Sequence, residues 1–556
     1  MERFNEIVKN KRIIIWDFDG TIVNLNIDWD NLKNDLQNLG YSHNLSFTET
    51  YLNHFLEILT ENGLKEQAFQ IINSYECKAP YKKIEKTLNI IDSLKNKIHC
   101  IFSDNLESTI LRILEEIGMS DTFRVIISKN SVTQYKPNGQ GLRKILQELN
   151  AEPVDALYIG DGWKDEKAAE ECNIDFLKKK IEVMDKKMQV PFLNLKAQYN
   201  SIKGEIQEEI NWVLENTSFV LGEKVKNFEN NFASYCNKKY AIAVNSGTAA
   251  LHLALLSNGV NSNHEVITIP NTFIATAEAI SHAGAKPVFA DIDETHNIDV
   301  FKIENKITPK TKAIMPVHLF GQPSNMDPII RIAKEYNLKI IEDCCQAHGA
   351  EYNNIKVPIS ETGCFSFYPG KNLGAYGEGG IIVTDNEEIA KKCSALRAHG
   401  EYPKNTHSSV GYNYRMEGMQ GAILNVKLKY LDEWNRKRIE KAELYNELLE
   451  ELKGTINFPQ KKPFYKHVYH LYVIKFKQRD KLAEYLKSKG IDTGIHYPNP
   501  IHLQEAYKEL GYTIGSFPIA EKYAKEVLSL PIYPELTKEQ IYYVVDNIKE
   551  FYETSS

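Results

Sequence analysis

The chain has 556 residues, 42% of them hydrophobic and 25% charged, the balance of a soluble globular protein with at least two domains, each with ample core. A formal net charge of -7 gives no general attraction to nucleic acid or acidic membrane, so neither is expected as a partner. No apolar run approaches the roughly 18 residues of a membrane span, and Met1–Asn10 lacks a signal-peptide core, so the expected location is the cytoplasm.

The first element is Arg12-Ile-Ile-Ile-Trp-Asp-Phe-Asp-Gly-Thr-Ile-Val23, a buried strand that ends in two acids one residue apart, then a glycine and a threonine. Alternate residues at a strand end can aim both carboxylates at one centre, Asp17 to attack phosphorus and Asp19 to handle the proton. Residues from about 24 to 83 carry helix-spaced apolar positions such as Leu52, Phe55, Leu56 and Leu59, which reads as a small helical cap inserted after the strand. Ile98-His-Cys-Ile-Phe-Ser-Asp-Asn105 is a second strand, ending in a hydroxyl and an amide suited to a phosphate oxygen. Gln134-Tyr-Lys-Pro-Asn138 sets Lys136 in front of a proline. Ala156-Leu-Tyr-Ile-Gly-Asp-Gly-Trp-Lys-Asp-Glu166 is a third strand running into Asp161, with Asp165 four residues on. Three acids around one centre point to Mg²⁺.

These four motifs, in this order, resemble those of the phosphatases of the haloacid dehalogenase superfamily, which implies an α/β, Rossmann-like domain with a helical cap over residues 1–180. The resemblance implies Asp17 as the nucleophile that forms an aspartyl-phosphate and Asp19 as general acid and base. It also implies Ser103 and Lys136 as the groups that neutralise the transferring phosphoryl, and a Mg²⁺ ion held by Asp161, supported by Asp165, with Asp17 and the Asp19 carbonyl. Residues 181–190 follow as a charged linker without glycine or proline.

Beyond the linker, strand-like runs such as Glu265–Ile269, Pro287–Ala290, Ala313–Val317 and Lys339–Glu342 alternate with helix-length segments, the pattern of a parallel sheet flanked by helices. Ala241-Ile-Ala-Val-Asn-Ser-Gly-Thr-Ala-Ala-Leu-His-Leu-Ala-Leu255 reads strand, tight turn, helix, a phosphate seat at a helix N-terminus. Asp343 stands at the end of an apolar strand, placed to keep the ring nitrogen of a pyridine cofactor protonated. Cys364-Phe-Ser-Phe-Tyr-Pro-Gly-Lys-Asn-Leu-Gly374 sets Lys371 in a glycine-rich segment where loss of water can free its amine to attack an aldehyde. A lysine, an acid and a phosphate seat are the protein parts that pyridoxal 5'-phosphate requires. From about residue 430 a long charged helix and shorter mixed elements mark a small C-terminal subdomain. The eight cysteines, without a CxxC pair, read as core residues.

Residues 191–556 resemble the DegT/DnrJ/EryC1/StrS sugar aminotransferases of fold type I. The likeness is carried by Phe219–Gly222, Asn245-Ser-Gly-Thr248, Pro270–Thr276, Glu342-Asp-Cys-Cys-Gln-Ala-His-Gly-Ala350, Ser366–Gly374 and Gly411-Tyr-Asn-Tyr-Arg-Met416. It implies a Schiff base at Lys371, pairing of Asp343 with the pyridine nitrogen, Gln346 at the phenolic oxygen and Phe273 on the ring face. The phosphate falls to Gly247, Thr248 and Ser366, and Asn413 reaches the phosphate of a neighbouring subunit, hence a homodimer with shared sites. His318 and His502 are the implied substrate contacts, though His318, like His348, is as readily a core histidine bonded to backbone as a ligand contact. L-Glutamate is the implied donor. The acceptor is a nucleotide-linked keto sugar by family habit, or, given the attached phosphatase, a small keto-phosphate such as dihydroxyacetone phosphate, with amino-sugar or surface-polysaccharide synthesis as the setting. Two other readings stay open: a phosphatase serving a separate pathway step, and a cofactor-binding regulatory half that positions an active phosphatase.

Overall fold

The computed structural model describes residues 7–43, 45, 52–178, 188–459 and 464–555. It divides into two compact units, Met1–Asp185 and Lys186–Ser556. Of the linker expected at 181–190, residues 181–187 lie outside the described residues. Val190 is already part of the second unit, its N–H donating to Gly490 O at 2.9 Å.

In the first unit, β1 (Ile13–Trp16), the hairpin of β2 (Val23–Leu25) and β3 (Tyr81–Lys83), β4 (Ile98–Phe102), β5 (Phe123–Ile127), β6 (Ala156–Gly160) and β7 (Asp175–Lys178) follow in sequence. A five-stranded sheet has the order β5-β4-β1-β6-β7, with every pairing parallel. The run Ile-Ile-Ile-Trp is apolar throughout, its three isoleucines β-branched, because β1 is central and covered on both faces. Ile13 and Ile15 pack with Phe102 and Tyr158, whereas Ile14 and Trp16 pack with Ile110 and Leu157. Among the described residues between β2 and β3 stand three helices, Trp29–Tyr41, Leu52–Glu61 and Lys65–Glu76. Their apolar sides, among them Leu36, Phe55, Leu59 and Ile72, join the face of the core that holds Ile13.

The second unit contains β8 (Tyr240–Val244), β9 (Glu265–Thr268), β10 (Lys286–Phe289), β11 (Thr311–Ile314), β12 (Lys339–Asp343), a short hairpin of β13 (Glu351–Tyr352) and β14 (Ile355–Lys356), β15 (Thr362–Ser366) and β16 (Gly380–Thr384). A seven-stranded sheet runs β10-β9-β11-β12-β15-β16-β8, and β16 alone is antiparallel to its neighbours. The alternation along β16 places Ile382 on one face and Ile381 and Val383 on the other, each inside its own apolar cluster. Past the helices Gly418–Leu428 and Leu431–Leu449, β17 (Tyr465–Lys466) pairs with β13, and β18 (Tyr472–Lys475) pairs antiparallel with β19 (Val527–Leu530). Asp343 and Ser366 are the last residues of β12 and β15, so the carboxyl ends of the parallel strands deliver polar side chains to one edge of the sheet.

Candidate functional sites

In the first unit Asp17 follows directly on β1, and its N–H donates to Ile159 O of β6 at 2.9 Å. Lys136 Nζ lies 2.6 Å from Asp17 Oδ1 and 2.6 Å from Asp165 Oδ1, with all three side chains buried. Tyr158 donates its hydroxyl to Asp165 Oδ1 at 2.6 Å, and the Gly162 N–H donates to Asp165 Oδ2 at 3.0 Å. Asp17, Asp161 and Asp165 each offer an oxygen within 4.8 Å of the others. Burial pushes the Asp17 carboxyl well above the usual carboxylate range; Lys136 opposes the rise, while Asp165 and Asp161 add to it. Burial likewise disfavours the Lys136 cation, but Asp165, Asp17 and Asp104 outweigh it and raise its pKa. Three carboxylates against one lysine leave a surplus of hard oxygen donors, and that donor set fits Mg²⁺.

The remaining residues of this group take defined places. Asp19 Oδ1 accepts from the Leu25 N–H at 2.8 Å, which fixes the carboxylate to β2. Gly20 has φ +82°, and a Cβ there would run into the Asp161 carboxylate, so the glycine allows that close approach. Buried Ser103, just past β4, donates to Asn105 Oδ1 at 2.9 Å and accepts from the Asn105 N–H at 3.1 Å. From the first turn of a cap helix, Asn53 donates to Lys136 O at 3.0 Å and to Asp104 Oδ2 at 3.2 Å. Neither Tyr158 nor Asn53 was singled out in the sequence. Tyr158 sits inside a strand that reads as plain core, and Asn53 meets its partners only through folding.

In the second unit, Asp343 is buried and both of its oxygens are held. Oδ2 accepts from Thr276 Oγ1 at 2.8 Å and Oδ1 from the Cys345 N–H at 3.1 Å. Lys371 is half-buried; desolvation lowers its pKa against the opposing pull of Cys345 and Asp343. The helix Gly247–Ser257 begins with Ser246 as N-cap, its Oγ accepting from the Ala249 N–H at 3.1 Å, which leaves Gly247 and Thr248 in the open first turn. A Cβ on Gly247 would come within 2.6 Å of Ser366 Cβ, so this helix start and the end of β15 converge on one spot. A first turn with two hydroxyls beside it fits a phosphate, and a buried, doubly held carboxylate fits a protonated pyridine nitrogen. Gln346 accepts from the Phe320 N–H at 2.8 Å and donates to Tyr497 Oη at 3.1 Å. The exposed ring of Phe273 lies 5.9 Å from that of Tyr497. Asn413 is exposed, and its Oδ1 accepts from Arg415 Nε at 3.1 Å and Nη2 at 2.9 Å.

The two histidines implied as substrate contacts are both buried. His318 is wholly buried: Nδ1 accepts from the Ser324 N–H at 2.9 Å, so Nε2 carries the proton it donates to Glu342 Oε2 at 2.8 Å. Glu342 is further held by the N–H groups of Ile359 and Ser360. No ring nitrogen of His318 remains for a ligand. His502 is also buried, with Nε2 3.1 Å from Glu521 and its ring against Phe517. The histidines whose pKa values Lys371 helps to depress, after burial itself, are His348 (to about 3), His470 and His496 (to about 4). In the segment around Tyr497, His496 is therefore the ring that shares the surroundings of Lys371, with Nδ1 2.8 Å from Ser529 Oγ. Thr276 was quoted within a motif without a role, and Tyr497 and His496 carry no local signal beyond lying near a proline.

Residues 200–549 match the model of the DegT/DnrJ/EryC1/StrS aminotransferase family, and residues 14–179 match that of the haloacid dehalogenase-like hydrolases. The chain is 47% identical over 368 residues to the "Pleiotropic regulatory protein" of Geobacillus stearothermophilus, a match covering 66% of this chain and 99% of that one. It is 42% identical over 366 residues to the "dTDP-3-amino-3,4,6-trideoxy-alpha-D-glucose transaminase" of Streptomyces venezuelae, covering 66% and 96%. The crystal structure of NtdA from Bacillus subtilis with bound cofactor PMP superposes with a TM-score of 0.60 at 30% identity, covering 74% of this chain and 98% of that one. With these motifs, this sheet order and these matches, the chain belongs to the DegT/DnrJ/EryC1/StrS aminotransferase family and carries a haloacid dehalogenase-like hydrolase domain ahead of it.

Proposed function

We propose that the chain is a bifunctional enzyme, a pyridoxal phosphate-dependent aminotransferase and a Mg²⁺-dependent phosphatase. In this reading it aminates a keto sugar or a small phosphorylated ketone and hydrolyses a phosphomonoester, in amino-sugar or surface-polysaccharide synthesis in the cytoplasm. The observation that carries the reading is that neither unit lacks a group its chemistry needs: Lys371 and Asp343 in one, and Asp17, Lys136, Asp161 and Asp165 in the other.

When bound, pyridoxal phosphate supplies an electron sink for charge developing on the donor α-carbon. Asp343, held by Thr276 and the Cys345 N–H, keeps the positive charge on the ring nitrogen. Lys371 Nζ, its charge disfavoured by desolvation, takes the proton from the α-carbon of L-glutamate and returns one to the acceptor carbon in the second half-reaction. Gln346 would orient the phenolic oxygen, Phe273 would cover the ring, and Gly247, Thr248 and Ser366 would hold the phosphate. Asn413 serves the phosphate of a partner subunit in a homodimer. In the other unit, Asp17 attacks phosphorus while Lys136 and Ser103 hold the phosphoryl oxygens. Asp19 gives a proton to the leaving alcohol and then takes one from the water that releases phosphate. Asp17, Asp161 and Asp165, with the Asp19 carbonyl, are the residues that would hold Mg²⁺, whose charge offsets that of the phosphoryl oxygens.

Two other readings have support. The name of the Streptomyces venezuelae relative favours a nucleotide-linked keto sugar as acceptor, with the phosphatase acting at another step. The name of the Geobacillus stearothermophilus relative favours a regulatory second unit attached to an active phosphatase. The deciding experiment converts the cofactor-loaded protein with glutamate, removes the donor, and adds dihydroxyacetone phosphate with Mg²⁺ while following the visible spectrum and phosphate release. Return of the starting spectrum with release that depends on amination supports successive action on a small keto-phosphate. An unchanged spectrum rejects that acceptor and moves nucleotide-linked keto sugars to the front. A protein that binds cofactor but never responds to glutamate leaves the regulatory reading.

A further inference from the structure

The segment that carries Lys371 is held from outside by two buried residues to which no role has been given above. Lys371 N–H donates to Tyr368 O at 2.9 Å and Ala375 N–H to Phe367 O at 2.8 Å, which closes the loop on itself. From the helix Gly418–Leu428, Lys427 Nζ donates to Gly374 O at 2.5 Å. From the helix Leu431–Leu449, Asn435 acts in two directions. Its Oδ1 accepts from Asn372 Nδ2 at 2.8 Å, and its Nδ2 donates to His348 O at 2.7 Å.

Asn372 is the neighbour of Lys371, and His348 lies two residues beyond Gln346 in the stretch that begins with Asp343. A single buried amide therefore ties the lysine segment to the segment of the acid and the glutamine. The local chain is shaped for it. Gly349 has φ +79°, and a Cβ there would come within 2.7 Å of Asn435 Nδ2. The tie also has a cost, because Asn372 Oδ1 is left buried without a hydrogen-bond partner. Asn372 Nδ2 also donates to Val468 O at 3.0 Å. An apolar side chain at 372 would remove the orphaned oxygen but leave two buried acceptors, Asn435 Oδ1 and Val468 O, without their donor; the amide is explained by what it holds.

We propose that Asn435 is a positioning residue of the transaminase site, setting the separation between the Lys371 amine and the Asp343–Gln346 segment through Asn372 and the His348 carbonyl. The proposal rests on the transaminase reading above. Asn435→Asp keeps the acceptor for Asn372 and sets a carboxylate against the His348 carbonyl, which breaks one arm. Asn372→Met removes the other arm together with the orphaned oxygen.

The experiment uses the full chain, stripped of cofactor and titrated with pyridoxal phosphate. It records the dissociation constant, the pH midpoint of the visible absorption of the lysine-linked cofactor, and the melting temperature of the cofactor-free protein. Misplacing reacting groups by a fraction of an ångström is felt strongly, so both variants are expected to weaken cofactor binding about tenfold or more and to move the pH midpoint. Asn372→Met also frees Val468 O, so its cofactor-free melting temperature is expected to fall, and the proposal is read from the pH midpoint, which lost stability alone would not move. Unchanged binding and midpoint in both variants would overturn the proposal. So would an effect confined to Asn435→Asp that follows a fall in its cofactor-free melting temperature. If borohydride reduction of the wild type leaves no cofactor on Lys371, the transaminase reading fails and this proposal with it; an adduct on the wild type with indifferent variants sinks only the proposal.

Discussion

Lys136 Nζ lies 2.6 Å from Asp17 Oδ1, and the two residues are 119 positions apart. The contact puts the cation of one motif on the proposed nucleophile of another. With Asp161 and Asp165 also present, that lysine is the counter-charge for an acidic cluster whose burial already raises Asp17. An acid raised in the folded state contributes stability that is complete below its unfolded pKa and is lost as pH rises toward the folded value. Lys136→Met removes the effect that lowers Asp17 and extends this loss further up in pH. At pH 7.5 the variant is expected to lose about 3–5 kcal/mol, the usual consequence of breaking a buried pair. Phosphate release should fall at least about a hundredfold. Thermal melts and phosphate assays test both, and an unchanged melting curve would contradict the role given to the lysine.

Mg²⁺ should relieve the same surplus charge. In the wild type the cation is expected to raise the melting temperature, and more at pH 8 than at pH 5, since protonated carboxylates bind it poorly. Chelation should abolish phosphate release and leave the glutamate half-reaction intact. Loss of both reactions on chelation would show that the metal serves something other than the Asp17 cluster.

The sequence was legible where the chemistry is local. The Asp17-Phe-Asp19-Gly20 spacing, the acid at the end of β12 and the helix start at Gly247 are each set by a few consecutive residues, the first within one unit and the other two within the second. It was opaque where a partner comes from afar. Thr276 holds Asp343 across 67 positions, Tyr497 meets Gln346 across 151, and Asn435 meets His348 across 87. An asparagine on a charged helix looks like surface until the helix packs. His318 and His502 show the converse: a histidine beside a motif looks open to a ligand, and only the fold shows both nitrogens of His318 on Ser324 and Glu342 and Nε2 of His502 on Glu521.

Exposed Asn413 gives the shared-site reading a direct test. Lys371→Ala and Asn413→Ala proteins are each expected to be nearly inactive alone. After unfolding and refolding together, half of the dimers are mixed and each has one site with both residues, so about a quarter of the wild-type sites are restored. Activity that stays at the level of the separate variants would mean that Asn413 works within its own chain or not at all.

His318 and Glu342 should behave as structure. Burial disfavours the Glu342 charge, but the hydrogen bonds from His318 and Ser360 outweigh it and hold the pKa below the ordinary value. A depressed acid contributes stability that is present above the unfolded pKa and lost as pH falls through the folded one. His318→Phe strands that carboxylate and is expected to cost about 3–5 kcal/mol. The KM for the keto acceptor should not move. A raised KM with an unchanged melting temperature would restore His318 as a substrate contact.

Lys427 offers a test by titration, because burial lowers its pKa to about 7 with only Glu535 opposing. The unfolded chain holds that proton up to roughly pH 10.4, whereas the folded chain gives it up near 7. Between those values the unfolded state binds more protons, so this group makes stability rise with pH; below about 7 its penalty is full and constant. Lys427→Met lacks the titration and should show a flatter dependence of melting temperature between pH 7 and roughly pH 10. It also loses the bond to Gly374 O, so its cofactor should dissociate faster at every pH. Parallel melting curves for variant and wild type would mean that the lysine keeps its charge in the fold, and that an unrecognised group meets it there.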